Sequence, residues 1–102
     1  MTYEEHLKKV GQDGWNLKNV PEDLRTLEIC LVAVTNRGTS FWFIPEDLKT
    51  PELCLAAVTQ RGPVLYWIPK DLKTPEICIA AINQNPEAIK YSPWSILELI
   101  TK

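Results

Sequence analysis

The sequence predicts an all-α chain, an α-solenoid of four 24-residue units, and three spacings carry that prediction. Cys30, Cys54 and Cys78 stand 24 residues apart (54 − 30 and 78 − 54), as do Pro21, Pro45, Pro69 and Pro93, and Leu24, Leu48 and Leu72. A fixed period between ~20 and ~50 residues marks a repeat whose units bury their apolar faces only by stacking on one another. The units run 2–25, 26–49, 50–73 and 74–97 within one helical-repeat domain over residues 1–102.

The third unit shows the elements most plainly. Thr50 suits an N-cap, Pro51 the first helical position, where no backbone donor is needed, and Glu52 the first turn, where the helix dipole favours a negative charge. A first helix therefore starts there, carries the apolar run 53–58, and ends near Arg61-Gly62. Glycine is expected at a left-handed closing position, with arginine beside the negative helix end. A short second helical piece spans 63–68, and Pro69 keeps Ile68 out of the helical conformation. Pro69 to Leu72 then makes a 3₁₀ or single helical turn that leads to the next Thr-Pro, with Leu48 and its equivalents buried in the core. No stretch carries a strand signal.

The first helices of units 2 to 4 are apolar along their centres (29–34, 53–58 and 77–82), which predicts helices without a solvent face. Unit 1 reads Glu5, His6, Leu7, Lys8, Lys9, Val10 over the same positions. That polar substitution is what a terminal repeat needs, so residues 1–20 read as an N-terminal cap. By subtraction, the columns of Glu5, Lys8 and Lys9 face the preceding unit wherever one exists. At the other end Asn85-Pro86 replaces Arg-Gly, and a last helix over 94–100 is expected to cover the exposed end. With caps at both ends, the chain is expected to be complete.

Composition narrows the function. The chain has 11 Lys+Arg against 13 Asp+Glu, a net charge of −2, which disfavours holding a polyanion. The charged N-terminus and the lack of a long apolar window argue against a signal peptide or membrane span, and point to the cytoplasm. The expected partner is another protein, with no nucleic acid and no membrane.

The candidates for chemistry are few. His6, Cys30, Cys54 and Cys78 share a column, but neighbouring helices pack ~8 to 10 Å apart, so the column is a ladder and does not converge on a metal or a disulfide. The cysteines read as small core residues, and His6 as solvated or packed in the cap. Gly11 to Gly14 is a helix ending, too short for a phosphate loop, and Asp23, Asp47 and Asp71 read as turn-capping carboxylates. No cofactor or catalytic group is implied.

The aromatic residues of the short second element are more informative. Leu17, Phe41, Leu65 and Ile89 form a uniformly apolar column and belong to the core. The next column holds Lys18, Trp42, Tyr66 and Lys90, and the third Asn19, Phe43, Trp67 and Tyr91. A column that accepts Trp, Tyr or Lys is expected to face solvent, where exposed Trp and Tyr mark binding surfaces. Flat packing of Trp42 and Tyr66 on neighbouring units is the alternative. The expected partner-binding residues are Trp42, Tyr66, Trp67 and Lys90, with Arg37 and Arg61 either extending the patch or capping the helix ends.

Ala33, Val34, Gly38, Phe41, Phe43, Pro45 and Leu48, with equivalents Ala57, Val58, Gly62, Leu65, Trp67, Pro69 and Leu72, carry a resemblance. The chain resembles the short helical repeats of unknown function found in bacterial and some protist proteins. That resemblance implies an α-solenoid and an interaction region, and no catalytic residues. Trp42 and Tyr66 depart from the repeat pattern, which leaves their column polar. The expected function is a non-enzymatic protein-binding module, nearly straight or right-curving, monomeric or weakly dimeric, of the kind that serves as a stoichiometric inhibitor or immunity protein. An adaptor or scaffold repeat and a homo-oligomeric structural protein are the alternatives.

Overall fold

The structure, a computed structural model, describes residues 1–101. It is an all-helical stack, 49 × 23 × 16 Å, with no strand among the described residues. Each unit contributes an α-helix of ten residues: α1 (Tyr3–Gln12), α2 (Leu27–Asn36), α3 (Pro51–Gln60) and α4 (Pro75–Gln84). Each is followed by a six-residue 3₁₀ helix: Gly14–Asn19, Gly38–Phe43, Gly62–Trp67 and Pro86–Tyr91. Short 3₁₀ turns at Glu22–Leu24, Glu46–Leu48 and Lys70–Leu72 lead to the next unit, and α5 (Ile96–Ile100) follows the fourth. The four ten-residue α-helices pack side by side in one layer and the six-residue 3₁₀ helices in a second, so each of α2, α3 and α4 touches its own 3₁₀ helix and the one before it.

Local chemistry sets these boundaries. Thr2, Thr26, Thr50 and Thr74 are the N-caps, each side-chain oxygen accepting from the backbone N–H three residues on. The 3₁₀ helices stop at Val20, Ile44, Ile68 and Ser92, extended residues that each precede a proline, whose ring excludes the helical conformation there. The core runs the length of the stack: Ile29, Cys30, Ala33 and Val34 of α2 are fully buried, as are Leu53, Cys54, Ala57 and Val58 of α3.

The helix endings differ from the expectation. No glycine has positive φ among the described residues. The α-helices end instead on extended residues, Asp13, Arg37, Arg61 and Asn85, whose N–H groups donate to Lys9, Ala33, Ala57 and Ala81. Gly14, Gly38 and Gly62 open the 3₁₀ helices, and close approach is what demands them: a Cβ on Gly14 would lie 2.3 Å from Ala33 O, on Gly38 2.7 Å from Ala57 O, and on Gly62 2.4 Å from Ala81 O. Each glycine N–H also donates to an amide oxygen of the next unit, Gly14 to Asn36 Oδ1 at 2.7 Å, Gly38 to Gln60 Oε1 and Gly62 to Gln84 Oε1. Glycine is thus needed because adjacent units touch backbone to backbone. The fourth unit carries Pro86 at this position, where no further ten-residue helix packs among the described residues.

Burial corrects two further expectations, and helix capping a third. The interior α-helices do keep an open side: Leu31 and Leu55 are only partly buried and Ile79 is exposed, because the neighbouring units flank α2 to α4 without covering their outer face. Leu24, Leu48 and Leu72 are half-buried, packed on the core's margin at the ends of the short turns. The last helix begins at Ile96, because Ser95 and Glu98 form a reciprocal capping box and Ser92 Oγ is occupied by Trp94 N–H at 2.9 Å.

Of the columns expected to face the preceding unit, that of Lys9 does so through Ala33, Ala57 and Ala81, whose carbonyls meet Gly14, Gly38 and Gly62, and in that of Lys8 Val32 lies beside Gly11; Ile29, Leu53 and Ile77 of the Glu5 column are buried. His6 is buried, so it packs in the cap. Asp23, Asp47 and Asp71 are exposed in the short turns and make no side-chain hydrogen bond or ion pair among the described residues. The prolines before them set those turns, and Leu24, Leu48 and Leu72 N–H groups donate to the proline carbonyls.

Candidate binding face

A 3₁₀ helix has three residues per turn, so side chains at i and i+3 eclipse and the element has three distinct faces. Gly38, Phe41 and Ile44 form one face, and all are buried; Gly62, Leu65 and Ile68 repeat it. Thr39 and Trp42 lie on another, as do Pro63 and Tyr66 in the next unit, Trp15 and Lys18 before them, and Glu87 and Lys90 after. This face looks outward. Trp42 and Tyr66 are each 66% exposed and Trp15 44%.

The outward rings touch across units without covering one another. Trp42 meets Trp67 with centroids 5.4 Å apart at 57°, and Tyr66 meets Tyr91 at 5.3 Å and 65°. These tilted contacts differ from flat packing on the neighbour, since two-thirds of each leading ring stays open. Trp67 and Tyr91 are half-buried beneath.

Three adjoining clefts result, and Thr39 lines all of them. The first, about 470 Å³, lies among Trp15, Trp42, Phe43 and Trp67. The second, about 290 Å³, lies among Arg61, Pro63, Val64, Tyr66, Trp67 and Tyr91. The third, about 320 Å³, joins Trp15, Arg37, Gln60 and Arg61. The geometry therefore brings five of the six sequence-predicted residues, Trp42, Tyr66, Trp67, Arg37 and Arg61, onto one continuous surface. Lys90 stands beyond it, 3.6 Å from Glu87 Oε2 and 5.5 Å from the Tyr91 ring centroid.

The two arginines differ. Arg37 Nε contacts Asp13 Oδ1 at 2.9 Å and its guanidinium lies 5.2 Å from the Trp15 ring centroid. Arg61 occupies the same place one unit later, but the residue matching Asp13 there is Arg37 itself, so the acidic partner is gone. Both arginines close their α-helix through the backbone N–H.

Trp15 is the residue that column-by-column comparison missed. Its indole Nε1–H donates to Thr39 Oγ1 at 2.6 Å, fixing the ring at the mouth of the first cleft. Its column reads Trp15, Thr39, Pro63, Glu87, so no common structural demand exists there, and reading the second element at period three would have placed it beside Trp42.

A basic column braces the face from behind. Arg25 donates from Nε to Val20 O at 2.8 Å and from Nη1 to Phe43 O at 2.9 Å, joining two successive 3₁₀ helices. Lys73 Nζ donates to one carbonyl, Tyr91 O, at 3.1 Å. Between them, Lys49 pairs with Glu46 at 2.6 Å and lies 5.1 Å from the Phe41 ring centroid. Arg25 thus ties the first two 3₁₀ helices and Lys73 anchors the end of the last, while Lys49 reaches no backbone carbonyl among the described residues.

The cysteines sit apart from this face, one in each of α2, α3 and α4, buried and unbridged. Burial pushes the thiols of Cys30 and Cys54 up to about 11, and Arg25 and Lys49 respectively offset that only in part. Such thiols are poor nucleophiles and poor ligands at neutral pH. Between the α-helices lie two further grooves, about 510 and 480 Å³, lined by Leu31, Leu55, Thr35 and Thr59 and holding no aromatic side chain; Gln60 lines the first of them as well as the third cleft.

Stacked helical units with an aromatic outer row define an α-solenoid repeat protein. The profile of the family described as domain of unknown function (DUF4116) matches twice, over residues 6–49 and 50–97, and the chain belongs to that family. No curated protein and no solved structure matches it significantly.

Proposed function

We propose that the protein is a non-enzymatic binding module that engages another protein through the face formed by Trp15, Trp42, Tyr66 and Trp67. The observation that supports this most strongly is the exposure of Trp42 and Tyr66, 66% each, in a column that elsewhere holds lysine. A fold that accepts Lys18 and Lys90 there has no need of large rings, and exposed aromatic clusters are costly surfaces unless a partner covers them. Trp and Tyr on short, braced 3₁₀ helices also bind at low entropic cost, since their positions are fixed beforehand.

The 24-residue unit is the building block in this reading, each profile match spanning two of them. A compact stack of this kind suits a stoichiometric inhibitor or immunity protein that covers another protein's working surface. Three unbridged thiols suit a reducing compartment such as the cytoplasm, and no helix is long and apolar enough to cross a membrane among the described residues.

The test is affinity capture from native lysate of the source cells, run in parallel with the wild-type protein and the Trp42→Ala/Tyr66→Ala variant. A protein retained by the first and lost from the second supports the face; identical captured sets would remove it from consideration.

A further inference from the structure

The charges of this chain are segregated within each unit. Of the 13 acidic residues, Glu4, Glu5, Glu28, Glu52, Glu76 and Glu98 lie in the first turns of α-helices, and Glu22, Asp23, Glu46, Asp47 and Asp71 in the short turns. Only Asp13 and Glu87 remain for the edge that carries the aromatic clefts, and both are already committed, to Arg37 at 2.9 Å and to Lys90 at 3.6 Å. Among the described residues Arg61 has no ion-pair or hydrogen-bond partner for its guanidinium. It lines two of the three clefts, beside Thr39 and Gln60 in one and Tyr66 and Trp67 in the other. An acidic protein thus presents, at its aromatic edge, two uncompensated cations among the described residues, Lys18 at one end of the outward column and Arg61 within the row of open rings.

We propose that the face binds an acidic segment of a partner polypeptide in extended conformation, with a carboxylate on Arg61 and a flat apolar side chain, such as proline, between Trp42 and Trp67. This rests on the protein-binding reading and adds the chemistry of the partner. Arginine suits the task because its planar fork receives a carboxylate through two parallel N–H donors. The extended form follows from the pitch of the stack. Packed units recur every ~8 to 10 Å, and a polyproline-like segment advances ~3.1 Å per residue, so every third residue of such a segment meets the next unit. Proline rings stack on Trp and Tyr at little entropic cost, the mode by which aromatic grooves take proline-rich ligands. A nucleic-acid strand would also stack on the rings, but its phosphates call for a groove lined with cations, and this face leaves only Lys18 and Arg61 free among the described residues in a chain of net charge −2.

Fluorescence polarisation with labelled nine-residue peptides tests the proposal. Every third residue is proline, and the intervening positions are all Glu, all Gln or mixed Glu and Lys with excess Lys; a labelled twelve-nucleotide thymidine strand serves as a fourth probe. The Glu peptide should bind tightest, the Gln peptide about tenfold more weakly and the Lys-rich peptide not at all, a charge-assisted hydrogen-bonded contact being of that size. Arg61→Gln should weaken the Glu peptide about tenfold and leave the Gln peptide unchanged, while Trp42→Ala should weaken both and Glu52→Gln, in the first turn of α3, neither. Equal binding of all three peptides, insensitive to Arg61→Gln but lost in Trp42→Ala, would overturn the acidic partner and leave the aromatic face standing. Peptide binding unaffected by Trp42→Ala would overturn the face as well. Failure of every peptide to bind, or tighter binding of the thymidine strand, would overturn an extended acidic segment as the ligand.

Discussion

Replacing Gly38 by alanine tests the contact that holds consecutive units together. The added Cβ would lie 2.7 Å from Ala57 O, 2.9 Å from Gln60 Oε1 and 3.1 Å from Arg61 Cβ. A carbon and a carbonyl oxygen rest at about 3.2 to 3.4 Å, so the 3₁₀ helix and α3 must separate by roughly half an ångström, and overpacking of this size costs ~1 to 3 kcal/mol. The Gln60 side chain can swing aside, but then the Gly38 N–H loses its acceptor, and a buried unpaired donor costs ~1 to 3 kcal/mol. The reduced freedom of the unfolded chain returns only ~0.4 to 1 kcal/mol. Gly11→Ala is the internal control, because the nearest atom to its Cβ is Val32 Cγ1 at 3.8 Å and Gly11 lies inside α1. That change should stabilise by ~0.5 to 1 kcal/mol. Thermal and urea denaturation followed by far-UV circular dichroism should therefore move in opposite directions, Gly38→Ala down by about 5 to 15 °C and Gly11→Ala up by a few degrees. A Gly38→Ala variant that melts at or above the wild type would refute the close-approach account.

Ser40 Oγ is fully buried and has no hydrogen-bond partner, while the same column holds Val64 and Ala88; Ser40→Ala should raise the urea midpoint by ~1 kcal/mol of stability. Phe41→Ala should cost ~3 to 5 kcal/mol because the ring is fully buried, whereas Leu48→Ala, on the half-buried margin, should cost clearly less, as read from the same denaturation curves. The native thiols of Cys30 and Cys54 hold their protons to about 11, above their ordinary value of 9.0. The unfolded chain therefore releases protons first as pH rises, so stability should be level below about pH 8.5 and decline between roughly pH 9 and 11, a loss that substituting both cysteines by alanine should flatten.

Much of this fold could be read before the structure, and for identifiable reasons. Thr50, Pro51 and Glu52 act locally, and each unit repeats them or their equivalents, so the helix starts were visible four times over. The buried 3₁₀ face at Phe41 and Leu65 was equally plain, because every unit keeps it apolar. Gly38 and Gly62 were misassigned because glycine at a helix end ordinarily supplies left-handed geometry; what demands it here is the carbonyl of a residue 19 positions on, Ala57 for Gly38, which no local signal announces. Leu48 carried the same periodic signature as a core residue yet sits at the margin, since periodicity reports recurrence and not depth. Trp42 and Tyr66 were found because they break their column. Trp15 was not, because its relevance depends on a three-residue turn that brings it level with Thr39 and into the cleft of Trp42.

Under the proposed function the outward rings serve recognition and the fold does not require them. The most direct measurement is the stability of Trp42→Ala/Tyr66→Ala beside its retention of a captured partner. Loss of two tilted ring contacts, each worth ~0.5 to 1.5 kcal/mol, should leave the variant folded, less than ~3 kcal/mol below the wild type, with the partner gone. A variant that unfolds, or one that folds and keeps the partner at unchanged affinity, would contradict it.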